Sequence, residues 1–255
     1  MSGKDLTGEL KFRDPAKARA LTDALARNVD AIGREVAIMH VCGSHEQAIA
    51  RFGLRAVLPP GLDLIMGPGC PVCVTDAPEV DEAVALALAG ARVCTYGDML
   101  RLPGTSKSLG DAKGLGAKVD IVYSVSQAVE LAKANPSEQV VFLGSGFETT
   151  AVATAAVALT TPPPNFSILS VHKYVPAAME IVAASPETRI DGYLAAGDGA
   201  IITGWEIFEP FARKTGSPVA VAGFEPLDIL AALVKVTDLV REQKPEVANV
   251  YPRCV

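Results

Sequence analysis

An α/β protein with a mainly parallel sheet is predicted by three features of the sequence. Short β-branched and apolar runs alternate with amphipathic stretches of helical length. The order strand, turn, helix repeats along the chain, as right-handed parallel crossovers require. Apolar residues make up 49% and charged residues 20% of the 255, a globular composition with enough apolar material for one large or two modest cores.

The elements follow in order. Residues 14–33 read as an amphipathic helix, with Asp14 as N-cap and Pro15 at the first helical position. EVAIMHV at 35–41 is a strand that ends at Cys42-Gly43-Ser44-His45. A short helix follows and breaks at Pro59-Pro60-Gly61. DLIMG at 63–67 is the second strand and runs into Pro68-Gly69-Cys70-Pro71-Val72-Cys73. Asp76 and Pro78 open a helix that reaches about Leu88, and RVCTYG at 92–97 is the third strand. Residues 101–118, rich in Gly, Ser and Lys, read as a long loop and as the domain junction, giving domains 1–118 and 119–255. Five more strands follow: DIVYSV, QVVFLGSG, FSILSV, DGYLAAG and PVAVAGF. Helices are expected near 126–134, 148–159, 176–184 and 205–213, and a last one from Pro226 to about Gln243. In such folds the carboxyl ends of the strands line the ligand crevice. The Gly- and Cys-bearing turns fall at those ends.

Charge and cysteine usage narrow the function. The net charge is -6 with no basic run, so no nucleic acid partner is expected. The polar start lacks a signal core, and no apolar run approaches the roughly 20 residues of a membrane helix. No membrane association is expected. Five cysteines, an odd number without a signal peptide, suit reduced thiols in the cytoplasm.

Cys70 and Cys73 form a C-x-x-C, which can close a small disulfide ring or grip a soft metal. Buried apolar cysteines are the plain alternative, but core residues do not need the flanking Gly67, Pro68 and Gly69. Cys42 and His45 are a second pair, in which the imidazole could ligate metal, carry a proton or lower the thiol pKa. It could equally cap the following helix or bond a backbone group. Adjacent parallel strands would bring Cys42, His45, Cys70 and Cys73 into one pocket, and their spacing also permits a structural Cys3His zinc site. Large α/β cores rarely need such a staple.

Gly144-Ser145-Gly146-Phe147-Glu148-Thr149-Thr150 is a Gly-rich strand-to-helix turn, able to cradle an anion on backbone N–H groups. Neither the Walker pattern nor the dinucleotide fingerprint is present. A tight turn with Thr or Glu at the helix start is the alternative, and Glu148 could carry a proton. Asp98, His172 and Asp198 read as caps or turn residues, Cys94 as core, and Cys254 receives no role.

CGSH at 42–45, GPGCPVCVT at 67–75, TYGDMLRLPG with the following SL at 95–109, VVFLGSGFETT at 140–150 and GFEPLDIL at 223–230 together resemble the HypD family of hydrogenase maturation factors. The resemblance covers almost the whole chain. It implies two similar Rossmann-like domains facing a cleft, and a scaffold and redox role in assembling the Fe(CN)2CO group of nickel–iron hydrogenases. It implies Cys42 as iron ligand, His45 beside that thiolate, and Cys70 and Cys73 as the redox pair. The implied partners are a HypC-like chaperone that shares the metal, a HypE-like cyanide donor and, indirectly, the hydrogenase large subunit precursor. The family's [4Fe–4S] cluster is held by a cysteine-rich C-terminal region, and four ligands for it are not found in this sequence, which reads to YPRCV. From the residues alone, a C-x-x-C thiol oxidoreductase and a structural-zinc protein stay open as alternatives.

Overall fold

The structure, a computed structural model, describes residues 12–69 and 72–255, without the side chain of Cys73. The chain begins with α1 (Pro15–Ile32), β1 (Val36–His40), α2 (Gly43–Arg51) and β2 (Leu62–Met66). It continues through α3 (Ala77–Leu88), β3 (Arg92–Thr95), α4 (Leu109–Gly114), β4 (Val119–Ile121), α5 (Val125–Ala134), β5 (Val140–Gly144), α6 (Glu148–Ala158) and β6 (Phe166–Ser170). It ends with α7 (Val175–Ala184), β7 (Gly192–Ala196), α8 (Gly197–Thr203), α9 (Glu209–Thr215), β8 (Val219–Ala222), α10 (Pro226–Arg241) and β9 (Val247–Asn249). The α/β class is borne out, with two sheets in which every pairing is parallel.

The chain forms two compact units: residues up to Gly69 with Val175–Val255, and Cys70–Tyr174. This corrects the expected division at 118. That cut would separate β3 from β4, which pair through Val93↔Val119 and Cys94↔Asp120. The first unit is instead completed by the returning chain, where Ile38 pairs with Gly192 and His40 with Leu194.

The first unit carries the sheet β2-β1-β7-β8-β9. Asp14 starts α1 by accepting from Ala16 N at 2.8 Å, and Gly33 ends it at φ 72°. The buried face of α1, Leu25 and Val29, lies on α10, where Asn28 Nδ2 donates to the Val234 carbonyl and the Thr237 hydroxyl. Leu25, Ile38, Leu194, Ile229 and Leu233 share one core. The second unit carries β4-β3-β5-β6. Alternation along its strands fills two cores: Val93, Val141 and Leu143 face one side, and Cys94, Val140 and Phe142 the other.

Each sheet has one place where strand order reverses. In the first, β1 leads to β2 on one side and β7 leads to β8 on the other, so the switch lies between β1 and β7. In the second it lies between β3 and β5. The expected loop at 101–118 holds α4, because Ser108 and Asp111 make a reciprocal capping box and Leu109 and Ala112 are fully buried. The helix expected near 205–213 is a 3-10 turn, Trp205–Phe208, followed by α9. Helix α8 and strand β9 were not anticipated.

Leu233 is fully buried in the first unit, so Leu233→Ala should cost about 2–5 kcal/mol. The chain's one tryptophan, Trp205, lies in the same unit and reports its unfolding in urea. A loss below about 1 kcal/mol would contradict the packing.

Candidate functional site

Cys42 sits at the switch point of the first sheet. Val41 N still donates to the Leu194 carbonyl at 3.1 Å, and Cys42, in extended conformation, becomes the N-cap of α2. The loop after β2 lies directly against it: Gly67 N donates to the His40 carbonyl at 2.8 Å, and Gly43 N to the Gly69 carbonyl at 3.3 Å. A Cβ on Gly69 would come within 2.6 Å of Cys42 Cα, so only glycine allows this approach.

The half-buried Cys42 thiol is shifted up, mainly by loss of solvent and then by the charge of Asp198 on α8. The N–H groups of Ser44 and His45 and the Ser44 hydroxyl pull the other way, though none makes a full capping hydrogen bond. Burial wins, so the free thiol keeps its proton at neutral pH. A soft metal would displace that proton on binding.

His45, three residues on, shares that face of the helix start and is fully buried. Its Nε2–H donates to the Gly223 carbonyl at 3.0 Å, and its ring packs on Phe224 with centroids 4.8 Å apart. Nδ1 is left as a buried lone pair, and it is the only buried side-chain N or O atom among the described residues without a partner. Burial, then neighbouring His40, pulls the imidazole down to about 4. It is therefore neutral and cannot lower the thiol pKa by charge; only its backbone N–H acts that way.

Behind the pair lies His40, also fully buried. Its Nε2 is 2.8 Å from Glu46 Oε2, and its Nδ1 faces the Cys42 carbonyl at 3.2 Å. Glu46 is clamped by Arg55 through two bonds of 2.7 Å, and that guanidinium, more than His40, holds it down at about 2. Burial lowers His40 against the pull of Glu46.

The Gly-rich turn occupies the switch point of the second sheet. Gly144 ends β5, and a Cβ there would lie 2.6 Å from His172 Cε1. Gly146 has φ 142°, and a Cβ would lie 2.4 Å from Thr150 Cβ. Phe147 is the N-cap of α6 and gives no side-chain cap, and Glu148 stands at the helix start, as the plain turn reading expected. Glu148 is buried in the first helical turn and its charge raises the Tyr174 phenol, after burial itself; Thr149 is exposed. His172 is wedged between Ser170 Oγ at 3.0 Å and Thr154 Oγ1 at 3.4 Å.

The family model described as the hydrogenase formation hypA family, HypD, matches residues 16–255. The chain belongs to the HypD family. The hydrogenase maturation factor HypD of Azotobacter vinelandii is 41% identical over 255 residues, 96% of this chain and 67% of that protein. The HypD proteins of Rhodobacter capsulatus and Cupriavidus necator are each 39% identical, again over 96% of this chain and 67% of theirs. Family membership places this chain among the hydrogenase maturation factors.

Of the residues expected from sequence in this HypD-family chain, Cys42 and His45 share one strand end, and Gly144, Gly146 and Glu148 share another. Cys70 lies outside the described residues, and so does the side chain of Cys73, in the 3-10 turn Val72–Val74. The weighed Cys3His zinc arrangement depends on both. Among the described residues no three His, Cys, Asp or Glu side chains gather to hold a metal ion, and no helix is long and apolar enough to cross a membrane. Asp98 caps a 3-10 turn, and Cys94 is buried core, its thiol pushed up by burial to about 11. His40 was missed, because a histidine inside EVAIMHV reads as part of a strand. Its one signal is Glu46, six residues on.

His45 gives a pH dependence with a definite sign. The folded state holds it neutral down to about 4, while the unfolded chain takes up a proton below about 6.5. Its contribution is complete above pH 6.5 and is lost as pH falls toward 4, a change of about 3 kcal/mol for a shift of this size. In metal-free protein, His45→Gln should flatten the fall in unfolding free energy across that window. An unchanged slope would refute the buried neutral imidazole.

Proposed function

We propose that this chain assembles the Fe(CN)2CO group of nickel–iron hydrogenases, with the iron as cargo and Cys42 as its ligand. The observation that carries the reading is the Cys42 thiol, still protonated by burial, at a switch point where the first amides of α2 and the Ser44 hydroxyl converge, three residues before a buried imidazole with an unpartnered Nδ1. A thiol of this kind is a poor spontaneous nucleophile but a good soft ligand once a metal takes the proton's place. Ser44 and the first-turn amides then stabilise the sulfur's negative charge, and His45 supplies an acceptor whose orientation the Gly223 carbonyl fixes. Cys70 and Cys73 serve as a redox-capable thiol pair, able to supply or store two electrons. Gly69, the residue before Cys70 in sequence, packs on the Cys42 backbone, which favours joint use of the two motifs. A HypC-like chaperone shares the metal, a HypE-like protein donates cyanide, and the hydrogenase large subunit precursor receives the finished group.

Protein purified with a HypC-like partner should show infrared bands of iron-bound cyanide and carbon monoxide. Cys42→Ala should abolish them, and bands of wild-type strength in that variant would end the reading. Turnover of disulfide substrates by iron-free protein would favour the thiol oxidoreductase instead, and one tightly held zinc whose removal unfolds the chain would favour the structural site.

A further inference from the structure

The Gly223 carbonyl that orients His45 is itself held by residues far along the chain. Tyr251 follows β9, and its ring is wedged between two glycines at strand ends. A Cβ on Gly197, just after β7, would lie 2.5 Å from Tyr251 Cδ1. A Cβ on Gly223, just after β8, would lie 2.5 Å from Tyr251 Cε2 and 2.4 Å from Asp228 Oδ2. One edge of the ring therefore rests on the backbone that leads into Asp198, and the other on the backbone that bonds His45. Arg253 grips both carboxylate oxygens of the buried Asp228 and stacks on the rings of Tyr251 and Phe12, at 4.5 and 4.2 Å from their centroids. Asp228 Oδ2 also accepts from Glu225 N at 3.2 Å, tying the grip to the start of α10. The segment is pinned to the sheet by Val250 N donating to the Val221 carbonyl at 3.0 Å, and by Asn249, which accepts from Tyr251 N at 2.8 Å and donates to the Val255 carbonyl at 2.9 Å.

We propose that Tyr251, Arg253 and Asp228 are positioning residues for the Cys42 site, acting as a clamp that sets the Gly223 carbonyl and through it the His45 ring. None of the three need touch the cargo. The Tyr251 ring and, at Gly223, the Asp228 carboxylate that Arg253 holds fill the space that the two glycines leave open, so the two strand ends cannot shift without disturbing the stack and the ion pair together. The Tyr251 hydroxyl meets the Cys254 thiol rather than the site, so the ring does the positioning. The clamp's effect on iron rests on the Cys42 reading above; its effect on His45 does not.

The test uses the full chain, 15N-labelled and metal-free, with NMR of the His45 ring. Wild type should show one tautomer, with a slowly exchanging Nε2–H. Tyr251→Ala and Arg253→Gln should lose that signal while Trp205 fluorescence still melts cooperatively, and Tyr251→Phe should restore it. With a HypC-like partner, the first two variants should retain about tenfold less iron, the usual scale for groups that orient a metal site from behind. Should Tyr251→Ala fail to fold, Arg253→Gln decides. A wild-type His45 signature in a folded variant overturns the clamp, and so does loss of fold in both variants, since the segment would then hold the sheet rather than the site. If the His45 signature responds but wild type gathers no iron, the clamp stands and the iron assignment falls.

Discussion

The parallel pairing of β1 with β2 on one side and β7 on the other decides where chemistry can occur in the first unit. Crossovers leave β1 and β7 in opposite directions, so the end of β1 is not covered by the helix that would otherwise pack over it. Cys42 is the second residue past that end, and the first amides of α2 are aimed at its sulfur. Gly69 lets the neighbouring loop press against the Cys42 backbone, where any side chain would force it away, and Gly67 lets it close on Met39 and the His40 carbonyl. Position, helix start and thin loop are one consequence of strand order.

Two opposing terms set the character of the thiol. Loss of solvent and the Asp198 charge favour the protonated form, and helix amides with the Ser44 hydroxyl favour the thiolate. Because the first pair wins, the resting site is inert, and the second pair matters only once a cation is present. The His45 Nδ1 lone pair fits the same pattern. A buried acceptor with no donor costs about 1–3 kcal/mol, and here every other feature of the ring, from the Nε2 bond to the Phe224 stack, holds it in that costly state. The fold spends stability at the place where a ligand would repay it.

Much of this was legible because short apolar runs, each closed by Gly or Cys, mark buried parallel strands. CGSH and GSGFETT were recognisable as strand-end turns, and both stand at switch points. Other features leave no local trace. The Ser108–Asp111 capping box lies among glycines and lysines that suggest a loop, and only the burial of Leu109 and Ala112 reveals α4. Nothing near residue 118 tells that 175–255 returns to pair with β1, because register between distant strands is not a local property. His40 was hidden for a related reason: a buried histidine in a strand looks like any core residue until its partner is located. The Tyr251 ring and its two glycines are likewise joined only in space.

The return of the chain also orders the assembly of the site. The second unit draws its strands from one continuous stretch, Cys70–Tyr174, so its contacts can form without anything later in sequence. The first unit cannot close in that way. β1 needs β7 for its second neighbour, His45 needs Gly223, and Gly223 needs the ring of Tyr251. Each successive requirement lies further along the chain, and contacts of such long separation form late. Cys42 is therefore made well before the residues that complete its surroundings. Until Tyr251 is in place, the thiol lies near the end of an incomplete sheet; afterwards it is buried beside a fixed His45 ring.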